Sequence, residues 1–186
     1  EYHYDGNEEV PITDWEILAR ILSHVRQRIT LIITPDEDEE LGSAWGAENC
    51  RSFARAIHGH PTITSFVEGD DDYYFPYESL DALYSALATL PVLESIHLGD
   101  PAVMQANESA LATPESLTAL LRRPTLRCVC FRHFYFTPAL CQATANAFME
   151  GTAVTKLEFI NCKLSAEESA AIMAIGLGRN TSVMFI

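Results

Sequence analysis

Positive charge is what this chain has least of. Twelve Lys and Arg stand against 26 Asp and Glu, a formal net charge of −14 over 186 residues. That balance repels phosphate backbones and anionic lipid, which argues against nucleic acid or a membrane surface as partner. Long apolar runs are missing as well. None reaches the roughly 20 residues of a spanning helix, and no basic-then-apolar leader opens the sequence. Cysteine is sparse and odd in number, five at irregular spacing. A small secreted disulfide framework is therefore not expected; reduced thiols in an intracellular, cytoplasmic setting are. The glycine patterns of nucleotide and acyl-transfer sites are absent too. No G-x-S-x-G, no P-loop and no G-x-G-x-x-G opens a helix.

What the chain has instead is one pattern, repeated. ITLIIT begins at Ile29, ITSFVE at Ile63, LESIHL at Leu93, LRCVCF at Leu126, VTKLEF at Val154 and VMFI at Val183. The starts are 34, 30, 33, 28 and 29 residues apart. A stretch with helical spacing precedes each: DWEILARILSHV, ENCRSFARAI, SLDALYSALATL, PESLTALLRR, PALCQATANAFM and AEESAAIMAIGL. Thr13 with Glu16 and Ser165 with Glu168 have capping-box spacing, and Thr113–Pro114 and Thr137–Pro138 put a cap before a first-turn proline. Stops read as Gly59, Leu90–Pro91, Arg123–Pro124, Gly151 and the glycines of GLG at 176–178. One helix and one short strand cannot bury their apolar faces alone, whereas stacked units bury a shared core. The sequence thus predicts one α/β domain over 1–186, of about six irregular repeats.

The clearest unit, VTKLEFINCKL at 154–164, resembles the leucine-rich repeat signature L-x-x-L-x-L-x-x-N/C-x-L, with Val and Phe for two leucines. With helices of about a dozen residues and the 28–29 residue spacing, the chain is similar to the ribonuclease-inhibitor-like class. That resemblance implies a right-handed solenoid with a parallel sheet on the concave face and helices on the convex face. Inward strand residues would be Ile32, Phe66, Ile96, Val129 and Leu157, with Cys162 and Leu164 turning inward after the fifth strand. Facing out would be Leu31 and Ile33, Ser65 and Val67, Ser95 and His97, Cys128 and Cys130, Lys156 and Glu158. Just past the strands lie Asp36, Asp70, Asp100, His133 and Asn161.

Neither a catalytic residue, a metal nor a cofactor is expected. Cys128 and Cys130 share a strand face with His97 nearby, but C-x-C on a strand is too splayed for easy tetrahedral zinc, so they read as surface thiols. Cys50 and Cys141 read as helix packing residues. His24, His58 and His60 sit near helix ends, where the dipole accounts for them. PDEDEE at 35–40 and the Asp70, Asp71, Asp72 run lack the alternating ligands of an EF-hand and read as solvated loops. Trp45, in LGSAWGAE, is the better exposed binding aromatic, and Tyr73, Tyr74, Phe75 and Tyr77 read as cover for the second repeat.

The function expected is non-enzymatic: a protein-protein interaction module whose partner carries a basic patch. It would bind through His97, Cys130, Arg132, Lys156 and Glu158, with Asp70, Asp71, Asp72 and Trp45 at the rim. Two alternatives stay open. One is a regulator, inhibitor or activator, of an enzyme such as a small GTPase, for which Arg132 and Asn161 are the entries. The other is a metal or thiol protein using Cys128, Cys130 and His97. VMFI stops inside a strand, so Phe185 and Ile186 are expected to pair with another chain, self-association through that C-terminal edge included, or to mark a truncated array.

Overall fold

The structure is a computed structural model and describes residues 15–33, 47–68, 77–99, 114–164, 167–180 and 184–185. Helices and strands alternate: α1 Trp15–His24, β1 Ile29–Ile33, α2 Ala47–Ile57, β2 Ile63–Glu68, α3 Tyr77–Thr89, β3 Ser95–Gly99, α4 Pro114–Leu121 and β4 Cys128–Arg132. Then follow β5 Tyr135–Phe136, α5 Pro138–Met149, β6 Lys156–Ile160, β7 Lys163–Leu164, α6 Glu167–Arg179 and β8 Met184–Phe185. Six strands form one parallel sheet in chain order, β1-β2-β3-β4-β6-β8, and β5 pairs with β7 in a second, parallel pair. The helices pack in the same order, α1 on α2 through α5 on α6. None of the described helices is long and apolar enough to cross a membrane.

The core is periodic because the strand entrances are. Ile63, Leu93, Leu126 and Val154 open their units with no exposed surface. Three residues on, Phe66, Ile96, Val129 and Leu157 are buried and in register across four strands. Backbone bonds tie each entrance to the one before. The amide of Glu94 donates to the Thr64 carbonyl at 2.7 Å, that of Arg127 to Glu94 at 2.7 Å, and that of Thr155 to Arg127 at 2.8 Å. Units four and five also leave their strands alike. His133 and Asn161, 28 residues apart, both have positive φ (53° and 51°), a region that His and Asn enter more readily than most residues. His133 donates to the Ile160 carbonyl and Lys163 to that of Phe134.

Helix ends follow the expected chemistry where they are described. Thr137 caps α5, its hydroxyl accepting from the Leu140 amide at 3.2 Å, with Pro138 first in the helix. Gly59 (φ 66°) and Gly151 (φ 96°) take the left-handed conformation after α2 and α5. Thr13, Thr113 and Ser165 lie outside the described residues.

Five expectations need correction. Ile32 faces outward at 57% exposure, while Ile33 is buried and Leu31 packs against the core. The cause is a one-residue register shift between Ile29 and Thr30: Ile29 pairs with Ile63 but Thr30 with Ser65, so Leu31 stands beside Phe66. A one-residue slip sends every following side chain to the other face. Leu164 does not turn in; it is 43% exposed, whereas its counterpart Phe136, 28 residues earlier, is fully buried. Glycines 176 and 178 do not end α6, which runs through both to Arg179. His60 is no dipole partner: it is buried, its Nε2 2.9 Å from the Leu22 carbonyl, and so joins the end of α1 to the turn before β2. The fifth, Cys130, belongs to the site below.

Candidate functional site

Parallel register sorts the outward strand residues into rows. Thr30, Ser65, Ser95, Cys128 and Lys156 form the first row, across five strands. Ile32, Val67, His97, Cys130 and Glu158 form the second, and Gly99, Arg132 and Ile160 a third at the strand ends. Neighbouring parallel strands are about 4.8 Å apart, so the second row is about 19 Å long. It changes from aliphatic to imidazole, thiol and carboxylate along its length. An open pocket of about 280 Å³ lies over the second and third rows, with Glu68 and Leu98 also reaching its lining.

Cys130 is the fifth correction. It sits on the outer face as expected, between His97 and Glu158, but it is only 3% exposed and is not a surface thiol. Burial pushes its thiol above the usual range, helped by the Glu158 carboxylate and opposed by Arg132 and Lys156. Since the thiolate is the nucleophile, Cys130 should resist iodoacetamide at neutral pH and begin to react only above the ordinary thiol range. Peptide-resolved mass spectrometry against pH checks this; labelling at the rate of a free thiol contradicts it. All five cysteines are free. Cys50 and Cys141 are buried in helices as expected, the Cys141 thiol pushed up by burial and pulled back by a hydrogen bond with Ser169. Cys162 is half-buried against the core, its thiol donating to the Phe131 carbonyl at 3.2 Å.

The two charged residues of the fifth strand hold each other. Lys156 Nζ lies 2.9 Å from Glu158 Oε1, and this hydrogen bond, with the carboxylate's charge, pushes the ammonium up from its usual range. Glu68 occupies the third inward position of β2, where β3 and β4 have Leu98 and Phe131. Its buried carboxylate accepts from the Gly99 amide at 2.9 Å, joining two strand ends at the pocket. His97 is exposed beside them. The structure thus brings His97, Cys130, Arg132 and Glu158 together in one pocket, with Lys156 one row away. Ile32, Glu68 and Ile160 were missed as site residues, Ile32 because its face was misjudged. For Glu68 there was a signal, an acid in an apolar slot. Asp70, Asp71, Asp72 and Trp45 lie outside the described residues, as do Asp36 and Asp100.

Charge is distributed unevenly along the chain. The described residues include all 12 Lys and Arg but 11 of the 26 Asp and Glu, so they are close to neutral. The other 15 acids lie in 1–14, 34–46, 69–76 and 100–113, which contain no Lys or Arg. Three of those segments follow directly on the ends of β1, β2 and β3, the pocket's edge of the sheet. Among the described residues no group of three or more His, Cys, Asp or Glu is placed to hold a metal ion. A scan against protein-family models finds no match to the chain, and a search of curated proteins finds none either.

Proposed function

We propose that this chain is a non-enzymatic protein-interaction module, a right-handed leucine-rich-repeat solenoid of the ribonuclease-inhibitor-like class that binds its partner on the concave, strand-lined face. Chain-order parallel strands, the 28–34 residue period and the matching turns at His133 and Asn161 support the solenoid reading. One observation carries the functional reading. The second row is in register across five strands on the side away from the core, so its side chains, the enclosed Cys130 apart, are not held by the packing that fixes Phe66, Ile96, Val129 and Leu157. A broad, rigid surface with a shallow pocket suits a protein partner better than a small substrate. The net charge of −14 favours a partner with a basic patch, steered in at long range. Five free thiols fit a reducing, intracellular compartment.

The test uses His97→Ala, Arg132→Ala and Lys156→Ala together, with a partner captured from native extract on the unmodified chain. Affinity should fall at least tenfold, about 1.4 kcal/mol, with little change in thermal stability. Unchanged affinity, with binding lost instead on substitution of exposed helix residues such as Ile17 and Ile21, would put the partner on the other face.

A further inference from the structure

We infer that the edge of the sheet where the strands begin docks an acidic segment of a partner protein, its Asp and Glu side chains held by arginines in the joints between helix and strand. This edge is separate from the pocketed sheet face and does not depend on what binds there.

The joints are 25–28, 58–62, 90–94, 122–127 and 150–155, all within the described residues. They contain Arg26, Arg28, Arg122, Arg123 and Arg127, no lysine, and as acids only Glu94 and Glu150. In a chain of net charge −14 this edge is locally basic. Register brings the residues together. The Arg127 amide donates to the Glu94 carbonyl and the Thr155 amide to the Arg127 carbonyl, so these joints are about 4.8 Å apart, like the strands they feed. Side chains then cross from joint to joint. Arg28 reaches Glu94 two joints on at 2.9 Å, and Arg127 donates to the Ala153 carbonyl in the next joint at 2.9 Å. Arg123 donates to the Leu90 carbonyl in the joint before at 2.7 Å, and Arg122 holds Glu150 in the joint after.

The dipole of a helix C-terminus attracts cations, and that explains why arginines lie near carbonyls such as those of Ser23 and Leu90. It leaves their remaining capacity unexplained. A guanidinium has five N–H donors and keeps its charge throughout the physiological range. Arg26, bonded to the Ser23 carbonyl at 3.0 Å, and Arg127, bonded to that of Ala153, each use one donor on a neutral acceptor. Both are exposed, and among the described residues neither holds a carboxylate. The carbonyl fixes each arginine in place and leaves its charge and other donors for a carboxylate, whose two oxygens match the guanidinium fork.

Glu94 and Glu150 show which chemistry fits. Each already lies on an arginine of this edge, and both pairs sit in water, their side chains between 42% and 69% exposed. Pairs so exposed contribute little to stability, so a partner's carboxylates can displace them readily. A nucleic-acid backbone suits the edge less well. It would bring a dense line of phosphates up to the same two glutamates on a chain of net charge −14.

The probe is a short synthetic peptide alternating Glu with Gly, compared with the same peptide carrying Gln for Glu and with a single-stranded oligonucleotide of equal charge. Isothermal titration at low salt compares the unmodified chain with three double variants. Arg26→Gln with Arg127→Gln should weaken the Glu peptide about tenfold. Glu94→Gln with Glu150→Gln frees Arg28 and Arg122 and should tighten it about threefold. Glu167→Gln with Glu168→Gln removes the same charge from the first turn of α6, the helix end away from the joints, and should gain clearly less. High salt should abolish binding in every case. Amide resonances of Glu94, Arg127 and Ala153 should move when the Glu peptide meets the unmodified chain, a readout that needs no variant to fold. No binding of the Glu peptide, equal binding of the Gln peptide, an indifferent arginine variant, or a control that gains as much as the Glu94, Glu150 variant overturns the inference. An oligonucleotide bound as tightly as the peptide would make the edge a general polyanion surface and overturn the acidic segment as its occupant. Resonance shifts confined to Val67 and His97 would reject the edge and leave the pocketed face as the binding surface.

Discussion

Phe131→Ala is expected to cost about 3–5 kcal/mol, the range for emptying a buried aromatic site, and to lower the melting temperature by on the order of 10 °C. Phe131 has no exposed surface and is the hub of a ring cluster. Its centroid is 5.1 Å from Phe134, 5.1 Å from Phe136 and 5.6 Å from Phe159, the last nearly parallel at 16°. Such pairs add about 0.5–1.5 kcal/mol each beyond the area they bury, so truncation loses contact on three sides at once. Phe159 provides the comparison. It belongs to the same cluster, but at 38% exposure part of its surface already meets water, and Phe159→Ala should cost clearly less. Urea unfolding of both variants decides. Equal costs would mean that the cluster is not the closed core it is taken for.

Phe131 also marks where the sequence could be read and where it could not. Leu126, Val129, Phe131, Phe134 and Phe136 repeat the spacing of Val154, Leu157, Phe159, Cys162 and Leu164, and the backbone follows that repeat through the left-handed turns at His133 and Asn161. Spacing gave the placement of the residues; it did not give their burial. Phe136 is enclosed and Leu164 is not, because burial depends on the neighbouring unit rather than on the unit's own residues. In β1 the pattern was ambiguous at source. Ile29, Leu31, Ile32 and Ile33 are apolar on both alternations, so either face could have been the inner one. The register shift after Ile29 settled it, and a shift of that kind leaves no mark in the residues.

The candidate site was partly legible for the same reason. His97, Cys130 and Glu158 could be aligned because their strands begin with well-defined apolar residues at Leu93, Leu126 and Val154. Ile32 could not. That Cys130 is enclosed follows from the side chains on the two strands beside it, which no single strand's sequence describes. Acid was visible in the composition, but its placement changes its meaning. The acid excess falls in 1–14, 34–46, 69–76 and 100–113 of the sequence, and the described residues are near neutral.

Gly176→Ala and Gly178→Ala, two residues apart in α6, should move stability in opposite directions. Within a helix, glycine costs about 0.5–1 kcal/mol relative to alanine, because its backbone loses more freedom on folding. At Gly178, which is exposed with nothing within 4 Å of a added Cβ, that gain should appear as a stabilisation of about that size. At Gly176 the same methyl would stand 2.5 Å from both Cα and Cβ of Ala145 and 2.9 Å from its carbonyl oxygen. Backbone is what it meets there, so no rotamer change can relieve the contact, and α6 must move away from α5. The pair has little freedom to move: Asn180 donates to the Phe148 carbonyl at 2.9 Å at the end of α6, and Ala143, Ala145 and Ala147 are buried in α5. Overpacking of this kind costs about 1–3 kcal/mol and occasionally more, enough to outweigh the helix-propensity gain. Gly176→Val should therefore be worse than Gly176→Ala, adding bulk and a β-branched side chain at the same contact. Denaturant midpoints for the three variants make the check. A stabilising Gly176→Ala would mean that the two helices stand further apart than a glycine contact requires.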